Sequence, residues 1–118
     1  MVEPTVLVNT TPEMKVNCEE VFGPVVTVTP YEQLEEAVRL VNASPYGLQA
    51  GVFTTNLKTM FRLHVELHVG AVNGNDMPAY RIDRLPYGGA KASGLGREGV
   101  RSAIEEMTES RLLTLRID

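Results

Sequence analysis

Hydrophobic residues follow two different periods along this chain, and the period changes several times. Short apolar runs rich in β-branched side chains occur at residues 6–8, 25–29, 51–54 and 70–73. Residues 25–29, V-V-T-V-T, are β-branched without interruption. Such a run predicts a strand that is buried on both faces.

Between these runs, apolar residues recur at intervals of three and four, which predicts amphipathic helices. The first helix has a capping-box pattern at its start, with Thr29 as the cap, Pro30 at the first helical position and Glu32 closing the box. The Pro and Gly residues of segment 42–47 end it. Two further helices are predicted at residues 56–68 and 99–107.

Helix-length connections between short apolar strands imply parallel pairing. The predicted fold is therefore α/β, a partial parallel sheet with crossover helices. Residues 74–98 are rich in Gly and Pro and form a long loop, which in a compact domain is usually functional. Residues 111–117 form a last apolar strand that needs a partner to cover it.

Composition narrows the possible functions. The 118 residues leave room for one domain, and the net charge of −4 argues against a nucleic-acid partner. No apolar run is long enough to suggest a membrane span. A single cysteine, Cys18, excludes a disulfide within the chain and favours a reducing, cytoplasmic setting.

Three candidate motifs have structural explanations that are stronger than the functional ones. Residues 94–99 fit G-x-G-x-x-G but follow a loop, so a backbone turn is favoured over a dinucleotide fingerprint. His64 and His68 are one helical turn apart but lack a third ligand, so no metal site is predicted. Cys18 has acidic neighbours that would raise a thiol pKa, so it is interpreted as structural or incidental.

Residues 19–24, E-E-V-F-G-P, are more informative, because two carboxylates and an aromatic ring directly precede a strand. A carboxylate can accept both hydroxyls of a ribose, and a phenyl ring can flank a flat heterocycle. The alternative is a solvated turn with a core phenylalanine. Both interpretations remain open on composition alone.

Several motifs in register resemble the aldehyde dehydrogenase superfamily. The stretch E-E-V-F-G-P-V begins the resemblance and P-Y-G-G-A-K-A-S-G-L-G-R-E closes it, in the order and spacing of the family. The resemblance covers essentially the whole chain. The matching segments are residues 19–25, 42, 46–48, 51–54, 70–73 and 86–98.

The resemblance implies roles for particular residues. Glu20 would hold the nicotinamide ribose hydroxyls of NAD or NADP, and Phe22 would pack beside the nicotinamide ring. Tyr87 would line the aldehyde pocket, and Asn73 would help to close its substrate side. Segment 76–83 resembles members that act on small or phosphorylated aldehydes, so Arg81 or Arg84 would pair with an anionic substrate group.

The departures from the family are equally informative. The catalytic cysteine and the general-base glutamate of the family lie upstream of this chain, and Cys18 does not match the nucleophile's position. No catalytic residue is therefore predicted here, and the chain alone is expected to be inactive.

Two units are predicted from the resemblance. Residues 1–109 correspond to the C-terminal portion of the catalytic domain, and residues 110–118 correspond to the oligomerisation strand of a homo-oligomer. An alternative is a stand-alone module that associates with itself, and a third possibility is a residual nucleotide-binding domain.

Overall fold

The structure is a computed structural model that describes all 118 residues. Six strands and four helices follow one another along the chain. They are β1 (Thr5–Val8), α1 (Lys15–Cys18), β2 (Val25–Val28), α2 (Leu34–Ala43), β3 (Tyr46–Gly47), β4 (Gln49–Val52), α3 (Leu57–Glu66), β5 (Ala71–Gly74), β6 (Ala90–Lys91) and α4 (Val100–Met107).

The strands form three separate pairs. β1 and β2 are parallel, with Thr5 opposite Val25, and β4 and β5 are parallel, with Gln49 opposite Ala71. β3 and β6 are antiparallel, with Tyr46 opposite Lys91. Since α3 connects β4 to its parallel neighbour β5, it is a crossover helix of the predicted kind. The prediction of an α/β fold with partial parallel pairing is confirmed.

The buried core is small and lies between β4 and the two longest helices. Only Val52, Leu63 and Leu67 among the large apolar residues are buried, at 9, 5 and 8% exposure. The partly buried residues packed against them are Leu34, Val38, Ala50, Met60, Val69 and Val72. Leu57 and Phe61 of α3 are 72% and 68% exposed, because nothing in the chain covers that side of the helix.

The start of α2 differs from the prediction. The helix begins at Leu34, with Gln33 as its cap residue and no side-chain capping bond, so the predicted box of Thr29 and Glu32 does not form. Instead, the backbone N–H of Glu32 donates to the carboxylate of Glu36 at 3.4 Å. A carboxylate inside the first turn thus supplies the acceptor that the sequence pattern had assigned to Thr29.

The C-terminal segment also differs from the prediction. Residues 108–118 belong to no strand, although their apolar side chains match the pattern of one. An isolated strand leaves its backbone groups without hydrogen-bond partners, so a pairing strand is required before one can form. The exposed apolar side chains here are Leu112, Leu113, Leu115 and Ile117.

The molecule is extended. Its radius of gyration is 19.3 Å and its extents are 76 × 39 × 24 Å, whereas a compact chain of this length has a radius of gyration of about 13.5 Å. The accessible surface is 10006 Å² for 13.0 kDa, against about 6,300 Å² for a compact monomer of that mass. No helix has both the length and the apolar content to cross a bilayer.

Candidate cofactor and substrate site

The segment from Glu19 to Pro24 is an exposed loop between α1 and β2. Its second half is fixed by backbone bonds: the N–H of Val25 donates to the carbonyl of Gly23 at 2.9 Å, and the N–H of Thr5 donates to that of Pro24 at 2.8 Å. The loop therefore continues directly into the paired strands β1 and β2.

Two side chains of this loop are exposed and make no polar contact within the chain. Glu20 is exposed and makes no ion pair or side-chain hydrogen bond within the chain. Phe22 is 94% exposed, so the alternative of a core phenylalanine is wrong. An unpartnered carboxylate and a free ring, two residues apart, fit a ligand that combines vicinal hydroxyls with a flat heterocycle.

Glu20 borders a cleft of about 630 Å³ between its loop and the β3–β4 region. Gln49, Pro78 and Ser93 also line the cleft, so it brings together the loop from Glu19 to Pro24, β4 and the long loop. The other lining residues are Val41, Ser44, Tyr46, Gly47, Leu48, Val69 and Ala92.

Asn73 reaches this cleft through Gln49. Its amide donates to the side-chain oxygen of Gln49 at 2.7 Å and to the carbonyl of Met77 at 3.2 Å. The Gln49 amide in turn donates to the carbonyl of Tyr80 at 3.1 Å. These bonds hold the beginning of the long loop against the ends of β4 and β5, so Asn73 positions that loop.

Arg81 and Tyr87 lie together, and Glu98 holds them. The guanidinium carbon of Arg81 is 4.6 Å from the centre of the Tyr87 ring. Its Nη2 is 2.9 Å from a carboxylate oxygen of Glu98. The backbone groups of Tyr87 and Glu98 bond to each other in both directions, at 3.0 and 2.6 Å. Arg84, the other candidate cation, has no ion pair or side-chain hydrogen bond.

The glycine-rich motif between Tyr87 and Glu98 is a scaffold of close backbone contacts. A Cβ on Gly70 would lie 1.7 Å from the carbonyl oxygen of Gly88, and one on Gly89 would lie 2.5 Å from the Cβ of Ser93. The Ser93 hydroxyl accepts from the N–H of Gly47 at 2.8 Å. These contacts join the long loop to the segment between α2 and β4.

The end of the motif leads into α4 through unusual backbone angles. Gly94, Gly96 and Gly99 all have positive φ, and Gly99 is the cap residue of α4. Each residue occupies a region that side-chain-bearing residues rarely adopt. These angles and the preceding loop support the structural interpretation of G-x-G-x-x-G over a dinucleotide fingerprint.

The remaining sequence candidates do not join the site. Cys18 is exposed, and its Sγ donates to the carbonyl of Met14 at 3.0 Å. His64 and His68 lie at the end of α3, and no three potential metal-ligating side chains gather anywhere in the chain.

The structure thus brings only some of the predicted site residues to the same cleft. Glu20 shares a cleft with Gln49, the partner of Asn73. Tyr87 lines an adjoining cavity of about 230 Å³, which shares Leu48 and Ser93 with that cleft. Phe22 lines neither. Gln49 and Glu98 were missed as site residues, although Glu98 ends the motif that carried the resemblance.

The family model of the aldehyde dehydrogenase family matches residues 1–113. The chain is 48% identical over 114 residues to a 3-sulfolactaldehyde dehydrogenase of Priestia megaterium, covering 97% of this chain and 24% of that protein. It is 44% identical to a sulfoacetaldehyde dehydrogenase of Neptuniibacter caesariensis, covering 97% of this chain and 25% of that protein. The chain therefore spans about a quarter of the length of these curated relatives.

Solved structures agree with the sequence comparison. Aldehyde dehydrogenase 21 from Physcomitrella patens, in complex with the reaction product succinate, superposes with a TM-score of 0.93 at 44% identity. The match covers 98% of this chain and 24% of that one. An NAD⁺ complex of an aldehyde dehydrogenase from Bacillus cereus gives a TM-score of 0.86 at 42% identity, covering 92% and 22%. This chain belongs to the aldehyde dehydrogenase family.

Proposed function

We propose that this chain provides the C-terminal part of the catalytic domain of an NAD(P)-dependent aldehyde dehydrogenase. The enzyme would oxidise an aldehyde to a carboxylic acid through a cysteine thioester. The observation that carries the proposal is the loop of Glu20 and Phe22, which presents an unpartnered carboxylate at the edge of a cleft and, two residues further on, an exposed ring. The nicotinamide cofactor, when bound, supplies the hydride acceptor.

The chain's own residues would bind and orient the cofactor and the substrate. Glu20 would accept the ribose hydroxyls, and Phe22 would lie against the nicotinamide. Asn73 would hold the long loop in place through Gln49 and Met77, as its hydrogen bonds support. Tyr87 would form part of the aldehyde pocket.

A cytoplasmic location stays a prediction from the single cysteine.

The substrate proposed is a small aldehyde with an anionic group. Two similar proteins are dehydrogenases of sulfonated aldehydes, and one similar structure holds succinate. Arg81 is already paired with Glu98, whereas Arg84 has no partner in the chain. Arg84 is therefore the cation that remains for the anionic end of the substrate.

By itself the chain is expected to be inactive, because its one cysteine, Cys18, does not match the position of the family's nucleophile and does not line the cleft that Glu20 borders. The test is a titration of the ¹⁵N- and ¹³C-labelled chain with NAD⁺ and with NADP⁺, alongside an assay of aldehyde oxidation. Shifts confined to Glu20, Phe22 and their neighbours, without turnover, would support the proposal. Turnover by the chain alone would contradict the inactivity, and an absence of shifts at millimolar dinucleotide would show that the remaining cofactor contacts must come from elsewhere.

A second candidate function is self-association. The apolar side chains of residues 110–118 are exposed, and every strand pair has open edges. Pairing of these segments between copies would give a homo-oligomer. Sedimentation velocity over a hundredfold concentration range tests this, because a single monomeric species throughout would eliminate self-association.

A further inference from the structure

Tyr87 is held by two residues, Arg81 and Glu98, of which Glu98 also borders the cavity of about 230 Å³ that Tyr87 lines. Its backbone is paired on both hydrogen-bonding positions with Glu98, and its ring faces the guanidinium of Arg81. Arg81 is in turn bound by the side chain of Glu98 at 2.9 Å. One residue, Glu98, therefore fixes both the backbone and, through Arg81, the ring of Tyr87.

The geometry limits what Arg81 itself can do. Its nearest anionic neighbours are Glu98 at 2.9 Å and Asp83 at 3.7 Å, so its charge is offset within the chain. A guanidinium with this surrounding attracts a further anion less strongly than a free one does. Stacking over an aromatic ring, by contrast, uses the face of the guanidinium and leaves the pairing with Glu98 intact.

We propose that Glu98 is a positioning residue: through Arg81 it holds the ring of Tyr87 in one orientation and so fixes a wall of the aldehyde pocket. The role rests on the proposed aldehyde-oxidising function, since the wall matters only where an aldehyde binds. Loosening the ring should weaken aldehyde binding in general, whether or not the aldehyde carries a negative charge. Cofactor binding should be unaffected, because Glu20 and Phe22 lie on a different loop.

The first experiment uses the 118-residue chain and observes the Tyr87 ring by NMR. Glu98→Gln keeps the shape of the side chain and the backbone pairing but removes the charge that binds Arg81. Movement of the Tyr87 ring resonances toward their values in an unstructured peptide is expected. Glu105→Gln, which breaks the exposed Arg101–Glu105 pair at 2.8 Å on α4, is the matched control and should leave them in place. Unchanged Tyr87 resonances in Glu98→Gln would overturn the proposal.

The second experiment measures kinetics in the full polypeptide that joins these residues to a nucleophilic cysteine. Glu98→Gln and Arg81→Gln should each raise KM for the aldehyde about three- to tenfold, the effect expected from losing an exposed ion pair and an exposed cation–π contact. The increase should be the same for an anionic aldehyde and for a neutral one of equal length. KM for the dinucleotide should not change.

The double variant tests whether the two residues act as a unit. Because both work through the same ring, the double variant should be no worse than the worse single variant. Additive losses, or an increase confined to the anionic aldehyde, would overturn the proposal and make Arg81 a direct substrate contact. A wild-type polypeptide that oxidises no aldehyde would instead refute the proposed function, and the ring measurement would still decide the positioning role.

Discussion

At the scale of single residues, the contact that leaves the least room for a side chain is between two glycines. The Cα of Gly70 faces the carbonyl oxygen of Gly88 so closely that an added Cβ would lie 1.7 Å from it. Since the clash is with backbone, side-chain rotation cannot relieve it. The contact is where the end of α3 and the glycine-rich motif meet.

Gly70→Ala should therefore destabilise the chain by more than about 2 kcal/mol, because backbone must move to admit the methyl group. Urea unfolding followed by circular dichroism measures the change. Gly23→Ala is the control, since the nearest atom to its new Cβ would be 3.9 Å away. Equal stabilities for the two variants would contradict the close approach.

The sequence predicted some residues of the site and not others for a physical reason. Glu20 and Phe22 lie in one short motif, so their placement on one loop is a local property. The pairing of Arg81 with Glu98 joins residues 17 positions apart, and the Gly70–Gly88 contact joins residues from different segments. Such contacts depend on how the elements pack, and spacing along the chain does not encode them.

At the scale of elements, the junction of α2 with α3 is held by polar side chains as much as by the small core. The Asn42 amide donates to the carbonyl of Glu66 at 2.8 Å, and its oxygen accepts from the N–H of His68 at 2.8 Å. Arg62 bridges the two helices, with 2.8 Å to Glu35 on α2 and 2.8 Å to Glu66 on α3.

Asn42→Ala should reduce the free energy of unfolding by about 1–3 kcal/mol, because the part-buried carbonyl of Glu66 and the exposed N–H of His68 both lose their partner. Asn42→Asp should be at least as destabilising as Asn42→Ala, since it keeps the acceptor for His68 but sets a carboxylate oxygen against the carbonyl of Glu66. Thermal unfolding ranks the three proteins. Asn17→Ala is the control, because its amide makes a single exposed bond to the carbonyl of Thr11. A loss in that control as large as in Asn42→Ala would argue against a special role for the junction.

The pH dependence of this junction follows from Glu35. The pKa of its carboxyl is lowered from 4.5, first by its own backbone N–H and then by Arg62. A lowered folded pKa contributes stability above the unfolded value, and that contribution is lost as the pH falls through the folded pKa. Arg62→Gln should raise the pKa of Glu35 only part of the way to 4.5, since the backbone bond remains.

Carbon-detected NMR of the Glu35 carboxyl between pH 2 and 6 measures this shift, and Arg101→Gln, on the separate helix α4, is the matched control. The idea fails if Arg62→Gln leaves the Glu35 pKa where it was. The contribution itself should be small, because the pair is exposed and screened by solvent.

Elements were predicted well where their signal was local. β1, β2 and β5 coincide closely with the apolar runs, since β-branched residues favour strands and the runs are bounded by turns, whereas β4 begins two residues before the run predicted at 51–54. The two-residue strands β3 and β6 were missed because they pair only when the glycine-rich motif folds back. Residues 111–117 form no strand in the single chain, where they have no neighbouring strand, and their pairing with another copy stays a prediction.

At the scale of the whole molecule, the accessible surface area is larger than that of a compact chain of the same mass. The difference between 10006 Å² and the compact value is about 3,700 Å². Many large apolar side chains are exposed, among them Phe22, Val26, Phe53 and Phe61 at 94, 54, 72 and 68% exposure. An area of this size is typical of an interface that is normally covered.

The isolated chain should therefore bind an apolar-surface dye such as ANS strongly near neutral pH. The dye signal should fall when the rest of a dehydrogenase catalytic domain is added in trans, because that surface becomes covered. Fluorescence titration provides the measurement, and a folded monomer of similar mass, such as a compact α/β domain, provides the baseline. Dye binding at the baseline level would show that these side chains are covered in solution.

The small core has a consequence for tolerance to substitution. Because only Val52, Leu63 and Leu67 form the buried apolar core, few positions of the isolated chain depend on tight packing. Polar replacements at exposed apolar positions such as Val26 or Phe61 should be accepted by the isolated chain and should improve its solubility. In a full dehydrogenase that covers the same positions, these replacements should be deleterious. Deep mutational scanning of both forms would give opposite preferences at these sites, and the positions where the preference reverses would map the covered face residue by residue.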